Sequence, residues 1–392
     1  MQTEKRHKTE KLYERDAYLS AFSATVLSCR EGKSGYEVLL DRTAFFPEEG
    51  GQTADTGTLG DAAVTDVRLV AGEIVHITDK PLAEGSTVGG EIDFPVRFRK
   101  MQNHTAEHMF SGICHRMWGV TNVGFHLGSR DVTVDFDREL SKECLMEAER
   151  QVNAAILRCL PVTAEVPPPE VLAATAYRSK LALTEGVRLV TVGDVDVCAC
   201  CAPHVKNTGE IGLFKVLEAI RYKGGVRVHV KAGWDALEDY DRRFDITRAA
   251  GTLLSAPSEE ILPALEGLLE ENRSLAFALR AAKKEALVAR LSAVEKTEGN
   301  LLWFEEEADG DLMQAAVNLL LPKASGTVAV FAGKEGAYRF CIGSRTVDLS
   351  AASRPLLSAI GGKGGGSKEM LRGSSSATRA QIEAFFADFR GE

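Results

Sequence analysis

Short runs in which hydrophobic and polar residues alternate fill the first part of the chain. An alternation with a period of two residues predicts strands that bury one face, and glycine-containing breaks predict the turns between them. The runs are Ser23 to Cys29, Tyr36 to Leu40, Ala62 to Val70 and Ile74 to Ile77. From about Tyr18 to Asp93 we therefore expect a small β-barrel.

One stretch inside this region stands out by its glycines. Phe46-Pro47-Glu48-Glu49-Gly50-Gly51-Gln52 interrupts the alternation before Asp55 and Gly57. Glycine permits backbone conformations and close approaches that other residues do not. The pair Gly50 and Gly51 therefore indicates either close backbone approach to a ligand or an ordinary surface turn.

The middle of the chain mixes both periodicities. Apolar residues at helical spacing predict helices over His104–Trp118 and Ser141–Leu157, and alternation predicts a strand over Asp131–Phe136. Val187–Val197 predicts a pair of strands that turn around Gly193-Asp194 and lead to Cys200. Helix and strand should thus converge in an α+β unit.

A heptad step follows, that is, a series of mostly apolar positions that lie alternately three and four residues apart. The step runs through Leu265, Leu268, Asn272, Leu275, Leu279, Ala282, Ala286 and Ala289. This spacing is typical of a coiled coil, in which Asn272 would fix the register, or of a long helix on the surface of its own domain. The first alternative would allow a homodimer through the helices of residues 260–295.

A last α/β unit is expected after Gly299. Strands are predicted near Val328–Phe331 and Phe340–Ser344, and a final helix over Thr378–Phe389. Between them the stretch from Gly361 to Ser367 predicts a glycine loop, and the basic residues around it are Lys363, Lys368, Arg372 and Arg379. Such a loop can hold phosphate through backbone N–H groups, although it lacks the Walker pattern and is equally consistent with a mobile linker.

The fold class that these patterns predict is a multidomain α+β protein. We expect a β-barrel domain over residues 1–97, an α+β domain over 98–247 that contains His104, His108, Cys200 and His204, a helical linker over 248–298 and an α/β glycine-loop domain over 299–392. The chain has 392 residues, of which 44% are hydrophobic. That length and composition are sufficient for two to four separate cores.

Composition adds three limits. The charged amino terminus and the lack of an apolar stretch of about 20 residues argue against a leader or a membrane span, so we expect a cytoplasmic protein. Eight cysteines, three of them within residues 198–201, favour reduced thiols and metal binding over disulfides. The net charge of −9 means that any nucleic-acid partner must meet a local basic patch. The best such candidate is the run from Lys206 to Lys231, which contains Lys206, Lys215, Arg221, Lys223, Arg227 and Lys231 against two acidic residues.

Two short motifs carry the candidate chemistry. His104 and His108 lie four residues apart and project from one face of a helix, where they can share one metal ion. Cys200 and His204 repeat this spacing after the predicted strand pair. Together they predict a zinc site with three imidazoles and one thiolate. Four protein ligands would also suit a structural zinc without chemistry.

At this point the residues resemble a known family. His104-Thr-Ala-x-His108, then Asp194-Val-Asp-Val leading to Cys200-x-x-x-His204-Val205, then Thr208-Gly-Glu-Ile-Gly212, are similar to the editing domain of alanyl-tRNA synthetase. The Phe46–Gln52 stretch with Asp55-x-Gly57 resembles the barrel motif of the freestanding relatives called AlaX. The C-terminal third is similar to the C-terminal domain of the synthetase. The resemblance covers nearly the whole chain, lacks a preceding aminoacylation domain, and therefore suggests the long AlaX form.

The resemblance implies a hydrolase that cleaves serine, with glycine as a second candidate, from mischarged alanine tRNA. It makes His104, His108, Cys200 and His204 the Zn²⁺ ligands. His126 falls where synthetases of the family tend to carry a pocket glutamine. Thr43 is our candidate for a pocket hydroxyl that senses serine, and Gln52 belongs to a Gly-Gly-Gln tripeptide similar to that of peptide release factors. Cys198 and Cys201 are either spare ligands or buried neighbours.

The expected chemistry is physically sound. Ester hydrolysis needs a positioned water, a site for the developing oxyanion and a grip on the amino acid, and a zinc ion can supply or orient any of these. A site built around the serine hydroxyl leaves buried polar groups unpaired when alanine enters, so the correct product is spared. No membrane partner is expected.

Three rival functions remain for comparison. A zinc peptidase requires His-Glu-x-x-His, whereas Glu107 here occupies the third intervening position. A nucleobase deaminase requires Pro-Cys-x-x-Cys and His-x-Glu, and neither is present. The non-enzyme alternative is a zinc-stabilised tRNA-binding or dimerisation module without hydrolytic activity.

Overall fold

The computed structural model describes residues 9–128, 132–179 and 186–390. The chain divides into two compact units, Met1–Ala249 and Ala250–Glu392. The helices are α1 (Leu12–Arg15), α2 (Phe94–Trp118), α3 (Lys142–Leu157), α4 (Pro169–Ala174), α5 (Gly233–Leu254), α6 (Ile261–Ser292), α7 (Gly310–Leu320), α8 (Ser353–Ala359) and α9 (Arg379–Asp388). Within the described residues, no helix has the length and apolar character that a membrane span requires.

The strands form several sheets. In chain order they are β1 (Glu10–Lys11), β2 (Ala21–Gly32), β3 (Gly35–Leu40), β4 (Arg42–Thr43), β5 (Gly57–Leu59), β6 (Ala62–Val70), β7 (Glu73–Thr78), β8 (Thr87–Ile92), β9 (Asn122–Leu127), β10 (Val132–Phe136), β11 (Val162–Glu165), β12 (Leu189–Val192), β13 (Asp196–Ala199), β14 (Phe214–Tyr222), β15 (Gly225–Ala232), β16 (Leu301–Glu305), β17 (Thr327–Lys334), β18 (Ala337–Ser344), β19 (Gly362–Gly366) and β20 (Met370–Ser375). The mixed α+β class is therefore confirmed.

The first unit begins with a closed barrel of strand order β2-β3-β7-β6-β5-β8. The four alternating runs of the sequence lie within β2, β3, β6 and β7. Their inward residues, such as Val26, Val38, Leu40 and Val67, are fully buried together with Phe45 and Phe46 from the connection after β4. The barrel thus gives a rigid base to the loop that contains Gly50, Gly51 and Gln52.

Helix α2 is the central element of the first unit. It begins at Phe94 rather than at the predicted His104, because Asp93 caps its first turn and Pro95 occupies a first-turn position. It ends at Trp118, as predicted, where Gly119 adopts φ of 63°. The sequence pattern missed the first turns because they bury polar residues, among them Arg97, Gln102 and Asn103, instead of an apolar stripe.

A four-stranded antiparallel sheet of order β14-β15-β10-β9 packs with α2 and α3 around the largest core cluster of this unit. Helix α3 begins after its cap Ser141, which accepts a hydrogen bond from Cys144 N. Strand β10 confirms the predicted strand from Val132 onward, whereas Asp131 lies outside the described residues. β12 and β13 form the predicted antiparallel pair, and β11 joins them.

The second unit contains a five-stranded sheet of order β16-β17-β18-β20-β19. The predicted strands near Val328 and Phe340 lie in β17 and β18, and the predicted final helix corresponds to α9. Thr378 caps α9 in a reciprocal arrangement with Gln381. Phe331, Phe340 and Phe386 form part of the buried core between the sheet and its helices.

The glycine stretch of the second unit is a strand, so the prediction of a glycine loop was wrong. β19 pairs antiparallel with β20 at the edge of the sheet. A Cβ atom on Gly364 would collide with the carbonyl oxygen of Arg372, and one on Gly373 would collide with that of Lys363. The glycines therefore permit a close approach of two strands. A glycine-rich sequence is consistent with such a strand as well as with a loop.

Helix α6 contains the predicted heptad step as one continuous helix. Near its end Leu287 and Leu291 are buried in the second unit with Met313 and Val317 of α7. Every heptad position from Leu265 to Ala289 is exposed, including Leu275 at 62% and Leu279 at 57%. The apolar seam therefore faces solvent in a single chain.

Candidate metal centre

Three imidazoles and one thiol converge in the first unit. His104, His108, Cys200 and His204 each offer one ligand atom, and these atoms lie within 4.8 Å of one another. His104 and His108 lie one turn apart on α2, and Cys200 and His204 lie in the loop after β13. The imidazoles are at least 96% buried, with relative exposures of 2%, 3% and 4%.

The distances between these atoms suit tetrahedral zinc. Cys200 Sγ lies 3.6 Å from His104 Nε2 and 3.3 Å from His204 Nε2. Zn–S bonds of about 2.3 Å and Zn–N bonds of about 2.0–2.1 Å place sulfur and nitrogen about 3.6 Å apart around a tetrahedral ion. The donor set and these two sulfur–nitrogen distances are therefore compatible with one zinc ion.

Two of the imidazoles are oriented by hydrogen bonds on their far nitrogens. His104 Nδ1 donates to Gln52 Oε1 at 2.8 Å, and His204 Nδ1 donates to Thr105 Oγ1 at 3.0 Å. Thr105 Oγ1 can only accept from His204, because its own proton goes to Met101 O at 2.8 Å. Both Nε2 atoms are thereby left unprotonated and directed at the centre, as ligation requires.

The third imidazole faces a carboxylate. His108 Nδ1 lies 3.8 Å from Asp196 Oδ2. Arg178 binds both oxygens of Asp196 at 2.7 Å and donates to the carbonyl oxygen of His108 at 3.2 Å. Neither residue was singled out from the sequence. Asp196 has a weak signal in its place two residues after Asp194 in the motif, whereas Arg178 has none.

Helix α2 also holds the loop that delivers Gln52. Arg97 forms a buried ion pair with Asp55 and donates to Ala44 O at 2.5 Å. Lys100 Nζ donates to Thr53 O and Ala54 O at 3.3 and 2.5 Å. One helix therefore sets the positions of two candidate ligands and of the loop that orients one of them.

Gly51 explains why this loop is glycine-rich. Its φ is 86°, and a Cβ atom there would collide with the carbonyl oxygen of Phe125 in β9. Leu127 N donates to Gly51 O at 2.8 Å, which ties the loop to the end of β9. The close approach seen at Gly51 is to this chain's own strand β9, and the predicted approach of this loop to a ligand stays a prediction.

Burial changes the acidity of the centre. It lowers the pKa of His204 well below the ordinary value, and the neighbouring His108 and His104 lower it further. Burial likewise raises the pKa of the Cys200 thiol, to which the nearby Cys201 also contributes. Without a cation the site therefore favours neutral groups, and a bound metal would displace the thiol proton.

The remaining predicted residues lie in different surroundings. Thr43 is fully buried, and its Oγ1 lies 2.8 Å from His76 Nε2 while accepting from Phe45 N at 3.1 Å. His126 is exposed on β9, next to Phe125, whose ring centroid lies 4.7 Å from that of His104. Because successive strand residues point to opposite faces, His126 points away from the side of Phe125. The roles proposed for Thr43 and His126 stay predictions.

Cys198 and Cys201 differ in position from Cys200. Both are partly buried, and Cys198 lies in β13. Cys198 forms a second compact group with His108 and Asp196, but Arg178 already binds both oxygens of Asp196. Cys201 lies close to the loop that contains Gly50 and Gly51, and its Sγ would lie 3.7 Å from a Cβ atom on Gly50.

The basic run from Lys206 to Lys231 is locally neutralised. β14 and β15 form a hairpin whose turn residues Lys223 and Gly224 have φ of 47° and 84°. Five of the six basic residues form ion pairs within the described part of the chain, namely Lys206–Asp16, Lys215–Glu149, Arg221–Glu139, Arg227–Asp135 and Lys231–Asp239. This run is therefore a weaker candidate for phosphate contact than its composition indicated.

Two parts of the chain, one in the barrel and one around Cys200 and His204, match families of tRNA-synthetase domains. Residues 187–229 match the family described as threonyl and alanyl tRNA synthetase second additional domain, and residues 3–96 match class II (A) tRNA synthetases. The first match contains Cys200 and His204, and the second contains the barrel.

Individual relatives narrow the class. The chain is 29% identical to the alanyl-tRNA editing protein AlaX-L of Pyrococcus horikoshii, across 95% of this chain and 96% of that protein. It is 29% identical to the alanine–tRNA ligase of Ignicoccus hospitalis and 35% identical to that of Halobacterium salinarum, but it spans only 40% and 38% of their lengths. The C-Ala domain of Aquifex aeolicus alanyl-tRNA synthetase covers 24% of this chain and 89% of that domain, with 17% identity and a TM-score of 0.19, which supports no conclusion. The chain is thus similar along nearly its whole length to an alanyl-tRNA editing protein, and it aligns with less than half of the length of these two alanine–tRNA ligases.

Proposed function

We propose that this protein is an aminoacyl-tRNA deacylase that removes serine, with glycine as a second candidate, from mischarged alanine tRNA with the help of Zn²⁺. The observation that carries the proposal is the convergence of His104, His108, Cys200 and His204, with two imidazoles already oriented for ligation. The alignment with a protein named for alanyl-tRNA editing, over 95% of this chain, supports the choice of substrate. Since the substrate is charged tRNA, we expect the protein to act in the cytoplasm.

The chain's own residues have separable tasks in this proposal. His104, His108, Cys200 and His204 would hold the zinc ion. When bound, zinc supplies a positive charge that polarises a carbonyl oxygen or a water molecule, or anchors the substrate. Gln52 and Thr105 keep the unprotonated nitrogens of His104 and His204 directed inward. The three imidazoles are buried and Cys200 is partly buried, which limits contact with bulk water and strengthens the electrostatic interactions made there.

Gln52 is our proposed contact to the substrate. Its side chain is fully buried, and its Oε1 is engaged by His104. Its Nε2 has no hydrogen-bond partner among the described residues, and a buried amide donor without a partner costs about 1–3 kcal/mol. A substrate oxygen would satisfy this donor. We therefore propose that Gln52 Nε2 donates to the ester carbonyl as negative charge develops on it.

Selection of serine over alanine is assigned to hydrogen bonding. We keep Thr43 as the candidate hydroxyl, which would have to exchange its bond with His76 for one with the serine side chain. His126 is a weaker candidate than Thr43 for this role, since its side chain is exposed on β9. A polar pocket rejects a substrate that lacks the matching hydroxyl by leaving its own buried groups unpaired. Thr43→Val should therefore reduce discrimination between serine and alanine more than His126→Ala does.

The deciding experiment measures release of labelled serine from alanine tRNA charged with serine. Alanyl-tRNA is the control substrate, and His104→Ala/His108→Ala is the control protein. We expect metal-dependent loss of serine with alanine retained, and no release by the double variant or by Cys200→Ala. Full activity of Cys200→Ala without bound metal would refute the zinc-dependent mechanism.

One observation also favours the non-enzyme alternative. Four protein ligands can complete a tetrahedral shell, which is typical of structural zinc. The protein would then be a zinc-stabilised tRNA-binding or dimerisation module. Binding of alanine tRNA with no release of serine above the double variant would support this alternative.

The second unit offers a tRNA contact. Arg339, Lys363 and Arg372 line one cavity of about 420 Å³ beside β19 and β20, together with Ser374. Lys368 and Arg379, which the sequence also suggested, pair instead with Asp348 and Glu383. We propose that the first three residues bind tRNA phosphates, so Lys363→Ala/Arg372→Ala should weaken tRNA binding and reduce its salt dependence.

We further propose a homodimer through α6. The exposed heptad step, with Leu268 at 50% and Leu275 at 62% exposure, would be buried by a second copy. Light scattering of the full chain should report twice the monomer mass of 42.4 kDa, and Leu268→Lys/Leu275→Lys should report the monomer mass. A monomeric wild-type chain at micromolar concentration would exclude the dimer.

A further inference from the structure

His108 differs from the other two imidazoles of the candidate centre in having a carboxylate close to its Nδ1 atom. His104 and His204 donate to neutral oxygens of Gln52 and Thr105. His108 Nδ1 instead faces the carboxylate of Asp196 at 3.8 Å. A metal-bound imidazole commonly donates its other N–H to a carboxylate, which fixes the ring and increases its basicity as a ligand.

Asp196 is itself held from two sides. Arg178 Nε and one Arg178 terminal nitrogen each bind one carboxylate oxygen at 2.7 Å. On the other side Asp196 lies against the backbone of α2 at Gly112, one turn beyond His108. A Cβ atom on Gly112 would lie only 2.6 Å from Asp196 Oδ1. The glycine in the middle of the helix therefore makes room for the carboxylate.

From this geometry we propose that Asp196 and Arg178 form a positioning pair for the metal centre, an inference that rests on the zinc site proposed above. Asp196 orients His108 and strengthens it as a ligand. Arg178 keeps both oxygens of Asp196 occupied, so that the carboxylate does not become a metal ligand itself.

The role of Arg178 follows from a competing arrangement. His108, Asp196 and Cys198 also form a compact group of three possible ligands. A free carboxylate beside a divalent cation is a good ligand, but the guanidinium fork satisfies the oxygens that ligation needs. Arg178 also donates to His108 O, which ties the helix backbone at the ligand to the same guanidinium. Lys cannot reproduce this fork, so Arg178→Lys is not a conservative change here.

The test measures metal binding rather than catalysis. Zinc affinity of the full chain is obtained by competition with a chromophoric chelator, and the visible spectrum of the Co²⁺-loaded protein reports coordination number. We expect Asp196→Asn to lower zinc affinity by about 10- to 100-fold while the four-coordinate Co²⁺ spectrum is retained. Gly112→Ala should act in the same direction, because it displaces the carboxylate without removing it.

Arg178→Met should give a different result. Release of Asp196 should add a carboxylate to the cobalt shell and weaken the absorption typical of four-coordinate Co²⁺. Arg178→Lys should show the same trend less strongly. An unchanged spectrum in Arg178→Met would overturn the role of Arg178, and loss of a ligand from the spectrum of Asp196→Asn would show that Asp196 binds the metal directly.

The chain contains a matched control. Arg227 binds both oxygens of Asp135 at 2.7 and 2.8 Å, away from the four candidate ligands in sequence and on the β10–β15 strand pair. Asp135→Asn should leave zinc affinity and the Co²⁺ spectrum unchanged. If Asp196→Asn behaves like Asp135→Asn, the positioning pair is refuted.

These outcomes are separable from failure of the proposed function. A wild-type chain that binds zinc but releases no serine would contradict deacylation and leave the positioning pair testable by affinity and spectrum. A wild-type chain that binds no zinc would contradict the metal centre, and the positioning pair with it.

Discussion

Thr105 accepts a hydrogen bond from Nδ1 of His204, so substituting it tests how strongly this bond contributes to metal binding at the candidate centre. Its hydroxyl donates to Met101 O at 2.8 Å and receives His204 Nδ1 at 3.0 Å and Val205 N at 3.3 Å. Thr105→Val keeps the branched shape of a residue that is fully buried and removes only the hydroxyl. The substitution therefore removes the acceptor of the buried His204 N–H and the weaker one of the Val205 N–H.

The magnitude follows from these contacts. An unsatisfied buried donor costs about 1–3 kcal/mol, so we expect the free energy of unfolding of the metal-free protein to fall by about that amount. Loss of an outer partner of a metal-bound imidazole typically costs about 10- to 100-fold in metal affinity. The two effects are measured separately, by denaturant unfolding with a chelator present and by chelator competition for zinc.

Thr247 is the matched control for this substitution. Its hydroxyl makes the same helical bond, to Arg243 O at 2.8 Å, but it is exposed on α5 and forms no hydrogen bond with an imidazole in the part of the chain that the structure describes. Thr247→Val should change stability by less than about 0.5 kcal/mol and leave zinc affinity unaltered. Equal effects of the two substitutions on zinc affinity would refute the idea that Thr105 orients His204.

Three other predictions concern stability. Arg97→Met should lower the free energy of unfolding by about 3–5 kcal/mol, because it leaves Asp55, which is 1% exposed, as an unpaired buried charge. Thermal unfolding measures this change, and a decrease below about 1 kcal/mol would contradict the prediction. Burial lowers the pKa of His76 to about 4, so the stability that its neutral form contributes above pH 6.5 is lost as the pH falls from 6.5 towards 4. Urea unfolding should show that the free energy of unfolding falls more for the wild type than for His76→Gln over this window. Equal decreases in the two proteins would contradict the prediction. Lys323 Nζ donates to the carbonyls of Leu291, Ser292 and Val294 at the end of α6, at 2.8, 2.7 and 2.8 Å, so Lys323→Met should destabilise the second unit by about 1–2 kcal/mol, and hydrogen exchange should show faster opening of that helix end.

Local patterns were sufficient for most elements and for the ligand pairs. The alternation in β2, β3, β6 and β7 and the helical spacing in α3 record which face of each element is buried, and burial is the dominant local constraint on a strand or helix. The spacing in α6 predicted the helix, although its heptad positions are exposed. The four-residue spacing of His104 and His108, and of Cys200 and His204, likewise needs only the pitch of a helix or turn. The structure brings these two pairs together, and their role as zinc ligands stays a proposal.

Tertiary structure decided everything that depends on a partner distant in sequence. Gln52 orients His104, Asp196 faces His108, and the basic residues of β14 and β15 form ion pairs with acidic residues of other elements. Which residues become neighbours in this way depends on the path of the folded chain and not on the local sequence pattern. The early start of α2 and the strand character of β19 were missed for the same reason. A buried polar helix turn and a glycine strand are stable only when a second segment supplies the hydrogen bonds, and no periodicity along a single segment encodes that second segment.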